Sequence, residues 1–166
     1  MNINKYHSAF ALVLLSIFYF LFSNTVFAAR IAWDNGGGNN LWSSSTNWEG
    51  NVTPGSSDVA VFSATSTANV TIDQNVTLQG IEVTSTYSGV ISQSTSTVTI
   101  GSSDFIMASG TWIGGTGSSS KIDIDDGDFT LSGGYFSAPS STGASSSINV
   151  ERNFTISGGT FSATNA

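Results

Sequence analysis

From residue 70 onward, apolar residues alternate with hydroxyl-bearing or other polar ones in short runs. They are Val70-Thr-Ile72, Val76-Thr-Leu78, Ile81-Glu-Val83, Val98-Thr-Ile100, Lys121-Ile-Asp-Ile124 and Ser147-Ile-Asn-Val150, with a briefer Val90-Ile91. A period of two predicts strands that turn their apolar members inward and their Thr, Ser, Asp or Asn outward. No window beyond the N-terminal leader carries a helical stripe. The runs are separated by Gly, Ser and Asn, residues that favour turns.

The pattern also repeats at long range. Phe129-Thr-Leu-Ser-Gly-Gly-Tyr-Phe-Ser-Ala138 and Phe154-Thr-Ile-Ser-Gly-Gly-Thr-Phe-Ser-Ala163 agree at eight of ten positions, and Phe105-Ile-Met-Ala-Ser-Gly-Thr-Trp112 is a weaker copy. The leading aromatic returns at Phe105, Phe129 and Phe154 and the second at Trp112, Phe136 and Phe161, in steps of 24 and 25 residues. A fixed step of this size predicts an all-β parallel β-helix, with three short strands per coil and coils stacked about 4.8 Å apart. The two aromatic series become interior ladders, and Gly133-Gly134 and Gly158-Gly159 mark corners. Val70 to Val98, 28 residues apart, reads as a first coil with a longer loop.

Residues 29–64 differ from the repeats. Trp33, Trp42 and Trp48 place three of the four tryptophans within sixteen residues, among Asp34, Asn47, Pro54, Asp58 and Phe62. The expectation is a cap that covers the first coil, whose strand edges would otherwise attract other chains. The alternative is a sugar-binding platform, because an exposed indole stacks on the apolar face of a pyranose. Trp33, Asp34, Asn47, Trp48, Pro54, Asp58 and Phe62, followed by the Ser-Gly-Gly-x-Phe repeats, resemble the N-terminal region of bacterial secreted β-helix proteins of the autotransporter-passenger-like and adhesin-like kinds. The resemblance spans most of the chain. It implies a parallel β-helix and surface export, and it carries over no catalytic residue.

Residues 1–28 read as a signal peptide: Lys5 begins it, a 14-residue apolar run from Ala9 to Phe22 follows, and Val26-Phe27-Ala28 offers a cleavage site. The run is short for a membrane span, which takes roughly 20 residues. Removing the leader takes away His7 and leaves three cations against eleven carboxylates, a net charge of −8. Such a surface repels nucleic acid and anionic lipid. Membrane attachment would need an uncleaved leader or a further C-terminal segment. Residues 65–166 are the coils, and an end directly after a repeat suggests a partial chain.

Candidate chemistry is sparse. Without His or Cys in the mature chain, Ser-His-Asp and Cys-His catalysis are unavailable. Asp123, Asp125, Asp126 and Asp128 form the densest acidic cluster, a weak calcium candidate weighed against a solvated face. Gly127 falls where an EF-hand needs a ligand. Asp104 and Asp128 lie one coil apart before Phe105 and Phe129, a spacing compatible with a retaining glycosidase pair. Asn51, Asn69, Asn75 and Asn153 each open an Asn-x-Thr triplet, which also suits the start of an ordinary strand. The functional expectation is an exported cell-surface or extracellular structural, adhesin-like protein. It would contact surface glycans or cell-envelope components, with no cofactor and no catalysis. A carbohydrate-binding module ranks second, and a polysaccharide hydrolase or lyase last.

Overall fold

The computed structural model describes residues 27–140 and 148–163. The leader's apolar run, His7, the Ser147 end of the last Ser-Ile-Asn-Val run and the final Ala166 lie outside them. The chain first forms β1 (Ala29–Ala32) and, after two single 3-10 turns at Ser45–Asn47 and Glu49–Asn51, β2 (Asp58–Phe62). Strands β3 (Val70–Thr71), β4 (Val76–Leu78), β5 (Gly80–Val83), β6 (Val90–Ser92), β7 (Thr97–Ile100) and β8 (Phe105–Met107) follow. The regular repeats supply β9 (Thr111–Ile113), β10 (Lys121–Ile124), β11 (Phe129–Leu131), β12 (Tyr135–Ser137), β13 (Ile148–Val150), β14 (Phe154–Ile156) and β15 (Thr160–Ser162).

From β2 onward every third strand meets its counterpart one coil on, and β1 adds to β2, which gives three parallel sheets in the orders β1-β2-β5-β8-β11-β14, β4-β7-β10-β13 and β3-β6-β9-β12-β15. The molecule is a parallel β-solenoid of about four coils. Inward residues form columns through the stack: Val76, Val98, Ile122 and Ile148 in one, and Val70, Ile91, Trp112, Phe136 and Phe161 in another. A slip of one residue would turn every such column outward, so burial fixes the register.

The aromatic columns stack as the repeat requires. Phe105 and Phe129 lie 5.2 Å apart at 22°, and Phe129 and Phe154 lie 4.6 Å apart at 8°. Trp112, Phe136 and Phe161 stack alongside, and the two ladders meet edge to face, as in Phe129 against Phe136 at 5.0 Å and 73°. Burying one such ring stabilises by roughly 2–3 kcal/mol, and each aromatic contact adds about 0.5–1.5 kcal/mol. At the corner before β12, Gly134 has φ +79, and a Cβ on Gly133 would collide with the carbonyl oxygen of Ala108 in the coil beneath. Only glycine meets both demands without strain.

One expected alignment is corrected. Val70 pairs with Ile91 and Val98 with Val76, so the early step is 21 or 22 residues rather than 28. The two valines occupy different sheets. The alternating pattern marked both strands correctly, but it does not say which strand a given valine stacks on. Shorter corners, not a longer loop, distinguish the first coils.

Candidate functional site

The tryptophans organise the N-terminal end. Trp33 and Trp48 form an antiparallel bridge, and Trp33 N–H donates to the Val61 carbonyl at 2.9 Å. Trp42 N–H donates to Thr71 at 2.9 Å, while Thr71 N–H donates back to Asn40 at 2.8 Å, so this segment adds a bridge to the edge of the first coil. Asn47 fastens the loop from within: its amide nitrogen donates to Asn39 Oδ1 and the Leu41 carbonyl, and its Oδ1 accepts from Gly37 N–H. Ser43 donates through N–H and hydroxyl to Asp73, at 3.0 and 2.6 Å, fixing the loop to the coil.

Trp33, Trp42 and Trp48 are each 0% exposed; Trp48 packs edge to face on Trp33 and on Trp42, and all three rings lie against Phe62. Trp48 Nε1–H donates to the Trp42 carbonyl at 2.8 Å. Stacking a sugar requires a ring face open to solvent, and none of the three offers one. The geometry is that of a cap. The flanking strands β1 and β2 do not belong to it but extend the first sheet, and Arg30 on β1 pairs with Glu82 two strands away.

The acidic residues are dispersed by the coil. Asp123 faces outward on β10, where Lys121 at 2.6 Å and Asn149 at 3.0 Å hold its carboxyl below the usual range. Asp125 and Asp126 are exposed at the following corner, and Asp128 lies past it. Among the described residues no three acidic side chains converge on a point where an ion could sit. The sequence proximity of the cluster reflects a tight corner, with φ +61 at Asp126, rather than a shared focus.

Asp104 and Asp128 do come together, in a different role. Asp104 Oδ1 accepts the N–H of Asp128 at 2.8 Å, and Asp128 Oδ1 accepts the N–H and side-chain amide of Asn153 at 3.2 and 3.1 Å. Asn69 accepts from Val90 N–H at 2.9 Å and Asn75 from Thr97 N–H at 2.8 Å in the same manner. Four corner side chains thus satisfy backbone donors of the next coil, which a turn would otherwise leave to water. The Asn153 contacts, aided by Arg152, lower the pKa of Asp128, whereas a glycosidase's general acid needs a raised one. Of the four triplet asparagines, Asn69, Asn75 and Asn153 belong to these corner contacts, and Asn51 sits exposed in a turn with φ +56. The sequence signal is a short polar side chain just before a strand, which recurs at one coil position in Asp104, Asp128 and Asn153 and at other corners in Asn69 and Asn75.

The three outward surfaces differ in charge. The β1-β2-β5-β8-β11-β14 side carries Arg30, Asp58 and Glu82, and the β4-β7-β10-β13 side carries Lys121 and Asp123. The β3-β6-β9-β12-β15 side has no charged residue in any strand, nor in the flanking stretches 63–72, 84–96, 108–120, 132–140 and 157–163. Its outward positions are Val90, Thr111, Tyr135 and Thr160 in one column, with Thr71, Ser92, Ile113 and Ser162 in the next, where Ser137 is buried. Compared with known protein families, curated proteins and solved structures, the chain matches none.

Proposed function

We propose that this chain is an exported, non-catalytic β-solenoid that acts as a rigid display surface at the cell exterior, in an adhesin-like role. The observation that carries the reading is how the acidic side chains are used. Asp73, Asp104 and Asp128 hold the cap and the coils together through backbone N–H groups, and Asp123 pairs with Lys121 and Asn149. The outward strands present mainly hydroxyls on a fixed lattice. Contacts repeated along such a lattice sum through multivalency, so weak individual contacts suffice. Export is supported by the position of β1, whose first residue, Ala29, directly follows the expected cleavage point.

Expression of the full chain in a secreting bacterial host tests both halves. A released product beginning at Ala29, which retains isolated cell envelopes when immobilised, is the expected outcome. A cytosolic product that keeps Met1, or release of reducing sugar from those envelopes, would overturn it.

A further inference from the structure

Resting on the display reading, we propose that the charge-free side of the solenoid is its contact surface, that the partner is a neutral polysaccharide, and that Tyr135 is the stacking residue. All fourteen charged residues of the mature chain lie on the cap, the other two sheets or their corners, although the protein carries a net −8 after loss of the leader. An anionic polymer approaching this molecule meets repulsion of the same sign and gains no cationic partner on the neutral side. An uncharged chain pays no such penalty there and displaces no strongly hydrated ion.

A pyranose offers a face of C–H groups and a rim of hydroxyls, so it suits a surface that pairs an aromatic ring with hydroxyl groups. Tyr135 is 39% exposed, and its ring stacks on no other among the described residues. Its cross-strand neighbours are Thr111 on one side and Thr160 on the other, with Ile113 and Ser92 in the adjoining column. Thr111 and Thr160 each lie one strand spacing, about 4.8 Å, from Tyr135. A tyrosine held on a strand loses little freedom on contact, because it has only two side-chain torsions to fix.

The sister repeat has Thr160 where this one has Tyr135, in an otherwise almost identical Ser-Gly-Gly-x-Phe-Ser-Ala segment. The fold therefore accepts threonine at this place, and the large ring is not required for packing.

Affinity electrophoresis of the mature protein tests the proposal in native gels containing xyloglucan, galactomannan or dextran, with polygalacturonate as the anionic counterpart. Retardation in at least one neutral gel is expected, weakened roughly tenfold by Tyr135→Thr and largely kept by Tyr135→Phe. Lys121→Ala, on another sheet, should leave mobility shifts unchanged. Because Tyr135→Thr restores the sister repeat, its fold is checked by the emission of the buried tryptophans. No retardation in any neutral gel, or equal retardation of Tyr135→Thr and the parent, would overturn the proposal. Retardation by polygalacturonate alone would also overturn it while leaving the display reading intact.

Discussion

The two ends of the solenoid are lined by aromatic rings, and they meet water in opposite ways. At the N-terminal end Trp33, Trp42 and Trp48 are folded back over Phe62 and fully buried, locked by Asn47 and by Ser43 to Asp73. At the last described coil Phe154 is 46% exposed and Ile156 47%, although Phe154 continues the ladder of Phe129 in near-perfect parallel stacking. Stacking depends on the coil beneath, whereas burial depends on the coil above. The same ladder position therefore contributes more where a further coil also covers it.

The largest separation between the ends should come from truncating rings. Trp48→Ala removes a fully buried indole from the centre of the cap and is expected to cost about 3–5 kcal/mol. Urea unfolding would check this, and a loss below about 1 kcal/mol would mean that the cap is not a stabilising unit. Phe154→Ala should cost only about half as much, because the half-exposed ring returns less apolar area to water. Phe129→Ala, one coil below and fully buried, should match the tryptophan instead. Equal losses at Phe129 and Phe154 would show that some other surface covers the last coil in solution.

Acid offers the smallest and most even-handed comparison. Burial raises the Asp73 carboxyl, but hydrogen bonds from the Ser43 hydroxyl and N–H outweigh it and leave the group below its ordinary 3.8. Asp128 is likewise lowered, by the Asn153 side chain and N–H and by Arg152. Both groups therefore stabilise the fold above the unfolded value near 3.8, and that contribution is lost as pH falls through their lower folded values. Tryptophan emission should stay flat from about pH 8 to 5, since the mature chain has no histidine. It should shift to the red only below about pH 4, as the cap loosens. Asp73→Asn should remove most of that acid response while leaving the thermal unfolding of the coils close to the parent's.

Much of the architecture is legible in the sequence because stacking coils demand the same residue at the same place. Phe129 and Phe154 could be assigned to one column from their 25-residue step, and the structure pairs them directly. Val70 and Val98 could not, because branched aliphatic residues occupy every inward column and distance along the chain alone does not choose among them. The cap reading of the tryptophans followed from their position before the first repeat. Their exposure did not, since it depends on Asn47 and Asp73 closing the loop, contacts that span residues eight or thirty positions apart. The corner pair Asp104 and Asp128 was visible as a pair but not as a hydrogen-bond relay. Carboxylate spacing is the same whether the oxygens face a substrate or a backbone N–H. The neutrality of one side emerges only when the sheets are assembled, because its five uncharged stretches are scattered through the chain.

Four corner hydrogen bonds point the same way. Asn69, Asn75, Asp104 and Asp128 each offer an oxygen to a main-chain donor that follows them by 21 to 25 residues. Each turn of the spiral therefore carries side-chain acceptors set for main-chain donors of the next. A fault at any one of these corners is therefore felt in the neighbouring turn, at a main-chain group that the altered residue does not own.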